Sequence, residues 1–245
     1  MKRIVIVGAT SGIGMEVARL YIAAGWRVGV AGRRVERLEP LRELAPDRVV
    51  IARIDITTDD APEALMALVD AVGGMDTYFH VSGIGKQNIT LDPSVEMRTM
   101  ETNVSGFTRM VMVAYNYFAE HTGGHIAVVS SIAGTQGLGV APAYSATKRF
   151  QNTYIDALAQ QAHIRKLNIM FTDIRPGFVA TDLLDGDNHY PMMMSVEPVA
   201  RKIFRAVEHR RRRAVIDWKY GILVFFWRLI PAYIWQRLPI KTRKK

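Results

Sequence analysis

The 245-residue chain contains no cysteine. Disulfides and thiolate metal sites are therefore excluded, and nothing points to an oxidising compartment. No metal site is expected from its motifs. Long apolar runs are also missing. The N-terminal MKRIVIVGATSGIG has a basic start, but its apolar stretch, Ile4 to Val7, stops at a glycine. That is too short for the core of a secretion signal, so it reads as a buried first strand and the chain as cytoplasmic. No internal repeat, low-complexity run or Pro/Gly/Ser-rich linker divides the sequence. Acidic residues are scarce at one end. Residues 205–245 carry twelve Lys and Arg against Glu208 and Asp217, a balance of +10, while residues 1–204 sum to −1. A basic tail on a near-neutral body implies an anionic partner for the tail alone.

What is present is an alternation. Short β-branched runs at Arg3–Val7, Arg27–Ala31, Val49–Ile54, Thr77–Val81, His125–Ser130, Asn168–Ile174 and Ala214–Asp217 read as strands. Between them, amphipathic stretches at 13–24, 34–44, 61–72, 93–121, 143–166 and 196–209 read as helices. Strands apolar along most of their length, joined by helical crossovers, predict an α/β fold with a doubly wound parallel sheet covered on both faces.

The first strand runs into the first helix through IVIVGATSGIG, with Gly8, Gly12 and Gly14. Glycines here allow a tight turn, bring backbone N–H groups to a pyrophosphate and let helix and strand pack closely. The phosphate then meets the positive end of the helix. An unliganded glycine-rich turn is the plain alternative. The second strand ends in VGVAGRRVERL, where no acid precedes Glu36 and Arg33 and Arg34 follow Gly32. A carboxylate there suits the ribose hydroxyl of NAD, whereas arginine forks suit the 2′-phosphate of NADP. NADPH is therefore the expected cofactor. Asp55, after the third strand, either accepts from an adenine amino group or caps the next segment.

Tyr144 precedes Lys148 by one helical turn, so both side chains share a face. An ammonium beside a phenol favours the phenolate and draws its pKa towards the working range of an acid–base catalyst. Ser131, at the end of the fifth strand, can donate to a carbonyl oxygen that the tyrosine protonates. Alone, a Tyr–Lys pair at this spacing is commonly a solvated helix face.

In order along the chain, GATSGIG, Asp55-Ile56, Asn103 in ETNVSGF, Ser130-Ser131, YSATK and RPGFVAT resemble the motifs of the short-chain dehydrogenase/reductase family. The likeness covers Lys2 to roughly Asp217 and implies a single-domain Rossmann fold. It implies that Tyr144 is the proton donor or acceptor. Lys148 would bind the nicotinamide ribose and depress the tyrosine pKa, Ser131 would polarise the carbonyl, and Asn103 would hold a water in a proton relay to the lysine. Pro176, Gly177, Val179 and Thr181 would pass close to the nicotinamide. The remaining expected nucleotide contacts are Gly8, Thr10, Ser11, Gly12, Ile13, Gly14, Arg33, Arg34, Asp55, Ile56, Ser82 and Gly83, with Tyr144 and Lys148. One departure is plain: the family's usual Asn-Asn-Ala-Gly is His80-Val81-Ser82-Gly83 here. His80, mid-strand, reads as a hydrogen-bonded core histidine, not a base.

Residues 1–217 are thus expected to form the NADP-binding catalytic domain and 218–245 a basic, aromatic-rich extension. The segment FVATDLLDGDNHYPMMMSVEP, with Phe178, Leu183, Leu184, Tyr190 and Met192 to Met194, is expected either to lid the substrate or to plug a core gap. It has no cluster of cations, which disfavours a highly anionic substrate. The extension holds Trp218, Trp227, Trp235, Tyr220 and Tyr233 among basic residues but is too short and broken to span a bilayer. It is expected to contact an anionic membrane peripherally, or to pack at a dimer interface; no nucleic-acid-binding module accompanies its charge. The expected activity is reduction of a hydrophobic, lipid-like ketone. A 3-keto lipid of the 3-ketosphinganine type comes first, a steroid or small carbonyl second, and a non-catalytic NADPH-binding sensor is the alternative from another class. Family habit implies a homodimer or homotetramer paired through the helices at 93–121 and 143–166.

Overall fold

The computed structural model describes residues 1–184, 188–240 and 243–244. Seven strands, β1 (Arg3–Val7), β2 (Arg27–Gly32), β3 (Val49–Arg53), β4 (Thr77–His80), β5 (Gly124–Val129), β6 (Ile169–Pro176) and β8 (Arg213–Ile216), form one sheet in the order β3-β2-β1-β4-β5-β6-β8. Every pairing in it is parallel. A second, antiparallel pair joins β7 (Asn188–His189) to β9 (Arg243–Lys244).

The strands are apolar on both faces because helices cover both. Ile4 and Ile6 point into a core built with α1 (Gly12–Ala23) and α7 (Val196–Glu208), through Val17, Tyr21 and Ile203. Val5 and Val7 point the other way, into a core built with α3 (Ala61–Val72), α5 (Phe107–Glu120) and α6 (Pro142–Ile164). Successive strands step outward to β3 on one side of β1 and to β8 on the other. The switch point lies between β1 and β4, and the crevice there opens at the strands' carboxyl ends, where an open sheet binds its ligands.

Two expected helices are subdivided. The stretch 34–44 splits into a 3-10 turn (Val35–Arg37) and α2 (Glu39–Leu44), because Pro40 lacks an N–H and suits only the first turn of a new helix. The stretch 93–121 becomes α4 (Pro93–Met100), a π-helical turn (Glu101–Gly106) and α5. Gly106 lies against the Ile56 backbone, where a Cβ would come within 2.8 Å of the carbonyl oxygen. After β8 come α8 (Trp218–Leu229) and, beyond Pro231, α9 (Ala232–Trp235).

The segment after 217 is joined to the body. Tyr220 and Val224 form a small core with Ile132, against which Phe178 and Met194 pack. Gln136 Nε2 donates to the Trp227 carbonyl at 3.0 Å, and Trp235 Nε1 donates to the Gly137 carbonyl at 2.6 Å. No described helix is long and apolar enough to cross a membrane. Of the residues invoked above, Asp185 to Asp187, Lys241 and Lys245 lie outside the described ones.

Candidate active site

The glycine turn leaves β1 with Gly8 at φ 105°, a left-handed conformation that disfavours any side chain. A Cβ there would also meet the Ser82 backbone nitrogen at 2.5 Å. This close approach joins the loop after β1 to the loop after β4. At the start of α1, Ser11 makes no side-chain cap, and the first turn carries no acid. Its N–H groups are left for an anion. Arg34 reaches across from the end of β2, donating to Thr10 Oγ1 at 3.2 Å and Ser11 Oγ at 3.3 Å. Gly12 faces Thr181, whose Cγ2 lies 3.0 Å from where a Cβ would stand. Residues from opposite ends of the domain thus close on one another, with Arg37 and Asp182 paired at 3.6 Å beside them. The donor set fits a dinucleotide.

Some expected contacts are otherwise engaged. Asp55 Oδ1 accepts from the Thr57 N–H and hydroxyl at 3.1 and 2.8 Å, so its side chain caps the next segment. Burial pushes this carboxyl up, but the Thr57 bonds, with Arg33 and Arg53 nearby, outweigh it and hold it below its ordinary value. Arg33 is exposed. The Ile56 side chain and Val179 are buried, and Ile13 packs against the same core as Val179.

On the other side of the crevice, Pro142 starts α6, and Glu96 of α4 accepts from the Ala143 N–H at 3.0 Å. The helix then presents Tyr144 and Lys148 on one face. The Ser131 hydroxyl lies near enough to the Tyr144 phenol to draw its pKa down, and it donates to the Pro176 carbonyl at 3.5 Å. It also caps the turn Ile132–Thr135 by accepting from the Ala133 N–H at 3.0 Å. Gly85 lies flat against the Tyr144 ring, leaving no room for a Cβ. Lys148 Nζ is buried and donates to the Val129 carbonyl at 3.1 Å and to Gln151 Oε1 at 2.9 Å. It sits 5.8 Å from the centre of the Tyr144 ring. Burial lowers the ammonium pKa to about 8, against the opposing pull of the Asp173 carboxylate.

The tyrosine shift differs in sign from the one expected. Burial pushes the Tyr144 phenol up, and the Ser131 hydroxyl draws it only part of the way back. Lys148 makes its hydrogen bonds to a carbonyl and an amide, not to the phenol, whose own burial sets the direction of the shift.

Asn103 is fully buried and is engaged through both its side chain and its backbone carbonyl, which accepts from Gln151 Nε2 at 3.0 Å. Oδ1 accepts from the Ile84 N–H at 2.9 Å, while Nδ2 donates to the Ile84 carbonyl at 2.7 Å and to Thr147 Oγ1 at 3.1 Å. It holds the loop after β4 against α6. His80 is buried, bonded to the Tyr78 hydroxyl at 2.8 Å, and kept neutral with its pKa lowered to about 3 by burial and by Lys148. The core-histidine reading holds.

A model of the family described as short chain dehydrogenase matches residues 2–190. The chain belongs to the short-chain dehydrogenase/reductase family. An uncharacterized oxidoreductase of Myxococcus xanthus is 34% identical over 198 residues, covering 78% of this chain and 77% of that one. Dehydrogenase/reductase SDR family member 7B of Xenopus tropicalis is 28% identical over 267 residues, 99% of this chain and 86% of the relative. A closed form of serine dehydrogenase complexed with NADP+ superposes with a TM-score of 0.75 at 22% identity, covering 87% of this chain and 94% of that one.

Within this short-chain dehydrogenase/reductase, three parts of the site escape sequence reading. Asp173 and Arg175 form a buried ion pair at 2.6 Å beneath α6, and Asp173 also accepts from Ser130 and Asn152. Two charges on alternate residues of a buried strand break its apolar pattern, and that was the available signal. Tyr220 accepts from the Phe178 N–H at 3.1 Å and shares its proton between the Pro191 and Met192 carbonyls, each at 3.0 Å. It pins the end of the nicotinamide-side segment to the methionine run. Gln151 carries no local signal at all.

The methionine run is part buried and part exposed. Met194 is partly buried against the core, Met192 and Met193 are exposed, and all three line a cleft of about 180 Å³ with Asp217, Lys219 and Tyr220. A larger open cavity, about 550 Å³, is lined by Gly134 to Gly139, Pro142, Ser145 and Arg149. It takes in neither Tyr144 nor Lys148, so it lies beside the chemistry.

Proposed function

We propose that this oxidoreductase uses NADPH to reduce the carbonyl of a hydrophobic, lipid-like ketone, or to oxidise the matching secondary alcohol. The observation that carries the reading is the convergence of Ser131, Tyr144 and Lys148 beside the loops that hold the glycine turn. Bound there, a reduced nicotinamide supplies the hydride. Tyr144 gives its proton to the carbonyl oxygen, Ser131 donates a hydrogen bond to the same oxygen, and the Lys148 ammonium stabilises the phenolate left behind. The raised phenol pKa keeps Tyr144 protonated at neutral pH, as a proton donor must be. Arg34, laid over Thr10 and Ser11, supports NADPH over NADH, and the likeness to a structure complexed with NADP+ agrees.

The substrate class rests on the cover of the crevice. Phe178, Tyr190 and Tyr220 cluster with ring centres 5.0 and 6.5 Å apart, and the exposed methionines continue the apolar surface. A 3-keto lipid of the 3-ketosphinganine type is the first candidate and a steroid ketone the second. The same chemistry favours peripheral contact with an anionic membrane. Trp218, Ile222, Phe225 and Leu229 repeat at helical spacing on the exposed face of α8, and residues 218–245 carry seven Lys and Arg but no Asp or Glu. A second copy on this face would bring two such segments together against their own charge. Pairing of subunits is instead assigned to the helices at 93–121 and 143–166, where Met112 and Ile164 are exposed.

The test is NADPH oxidation across a panel of keto-lipids, steroids and small aldehydes, with Tyr144→Phe alongside. Turnover should fall by at least about a thousandfold in the variant, while NADPH binding, read by fluorescence, stays within about twofold. Turnover retained by Tyr144→Phe would remove the assigned role.

A further inference from the structure

Gln151 lies one turn beyond Lys148 on α6 and is 1% exposed. An amide buried this deeply must satisfy both of its ends. Its Oε1 accepts from Lys148 Nζ at 2.9 Å, and its Nε2 donates to the backbone carbonyl of Asn103 at 3.0 Å. That carbonyl belongs to the π-helical turn Glu101–Gly106, a geometry that moves backbone bonds out of the usual helical register. The Asn103 side chain, meanwhile, is committed to Ile84 and Thr147. One glutamine therefore links the Lys148 ammonium to Asn103, where the family resemblance expects a relay water.

We propose that Gln151 is a positioning residue that ties the Lys148 ammonium to the Asn103 carbonyl through its own amide, replacing a proton wire with a fixed hydrogen-bonded bridge. An amide neither takes up nor releases a proton near neutral pH, so no proton passes along this bridge. It orients the ammonium towards the Tyr144 face instead. The inference rests on Tyr144 and Lys148 being the acid–base pair, but it can be read without turnover.

The charged and titratable groups facing Lys148 are Tyr144 on its own helix, His80 on β4 and Asp173 on β6. All three stay in place in the variants required. The full chain, labelled with 15N-lysine, is followed by NMR, the Lys148 signal being assigned by its loss in Lys148→Met. Two quantities are measured, the titration midpoint and the rate at which Nζ protons exchange with water.

Gln151→Glu, isosteric with the parent, places a carboxylate against the ammonium and should raise the midpoint by about one pH unit or more. Gln151→Ala removes the bridge, admits water, and should speed Nζ exchange by about tenfold or more. Volume-matched Gln151→Met removes the acceptor without opening space and should lower the midpoint. A structural role alone would not move the midpoint in opposite directions. The proposal is overturned if Glu and Met shift it the same way or not at all, or if the parent's Nζ protons already exchange as fast as those of Gln151→Ala. Should Ala or Met fail to fold, as read by thermal unfolding, the isosteric Glu variant decides alone: a midpoint that does not rise, or rises with no change in Nζ exchange, overturns the bridge. Failure of the clamp leaves the Tyr144→Phe result untouched, and failure of ketone turnover leaves this titration readable.

Discussion

Between about pH 8 and the free lysine range, Lys148 is largely neutral in the folded protein but still charged in the unfolded chain, because burial has lowered its pKa to about 8. Below that range folded and unfolded chains both carry the ammonium, and the folded state bears the full cost of burying it. Above pH 8 the folded state sheds its proton while the unfolded one keeps it, so this residue's cost fades as pH rises. The catalytic consequence has the opposite sign. Carbonyl reduction needs the ammonium beside Tyr144, so NADPH-driven turnover should hold below about pH 8 and fall as pH rises through it. A pH–rate profile flat from 7 to about 9.5 would detach Lys148 from the rate. The Tyr144–Lys148 spacing was legible in the sequence because a helix fixes which residues share a face. Gln151 was not, since its partners are Lys148 and the Asn103 carbonyl of the π turn, and no local pattern marks such a meeting; Asp173 left only the broken apolar pattern of its strand, which does not name its partners.

At the scale of elements, two glycines make opposite predictions. Gly8→Ala puts a side chain on a backbone at φ 105° and into the Ser82 backbone. It should cost about 2 kcal/mol or more and weaken NADPH binding, measured by chemical unfolding and by fluorescence titration. Gly221, in the first turn of α8, has nothing within 4 Å of where a Cβ would stand. Gly221→Ala should therefore stabilise α8 by up to about 1 kcal/mol with the site unaltered. The seven principal strands were readable within a residue or two of their ends, because β-branched runs bounded by glycine and charge have few other uses. The breaks in 34–44 and 93–121 were less so. The first depends on Pro40, a signal present in the sequence although 34–44 reads there as one helix; the second depends on Gly106 meeting Ile56, a contact between distant segments.

At the scale of the whole molecule, charge and apolar surface are both concentrated after residue 204. Removing residues from Tyr220 onward would be a poor test of membrane contact, because Tyr220 also holds Phe178, Pro191 and Met192. Substitutions on the outer face avoid that. Phe225→Ser with Leu229→Ser, at positions 60% and 63% exposed, should lower partitioning onto phosphatidylglycerol vesicles by about tenfold or more. NADPH affinity and subunit number, read by gel filtration, should stay as in the parent. Equal partitioning of parent and variant would end the membrane reading, and a change in subunit number would mark the face as an interface between copies. Composition and motif order pointed to the α/β class, the family and the candidate acid–base pair, because these depend on periodicity and on residues a few positions apart. Folding alone decided that the segment after 217 packs beside the crevice, that Tyr144 is raised and not lowered, and that Lys148 is gripped by Gln151 while Gln151 holds the Asn103 carbonyl. Each of these depends on burial and on contacts between residues far apart in the chain, and no short stretch of sequence records them.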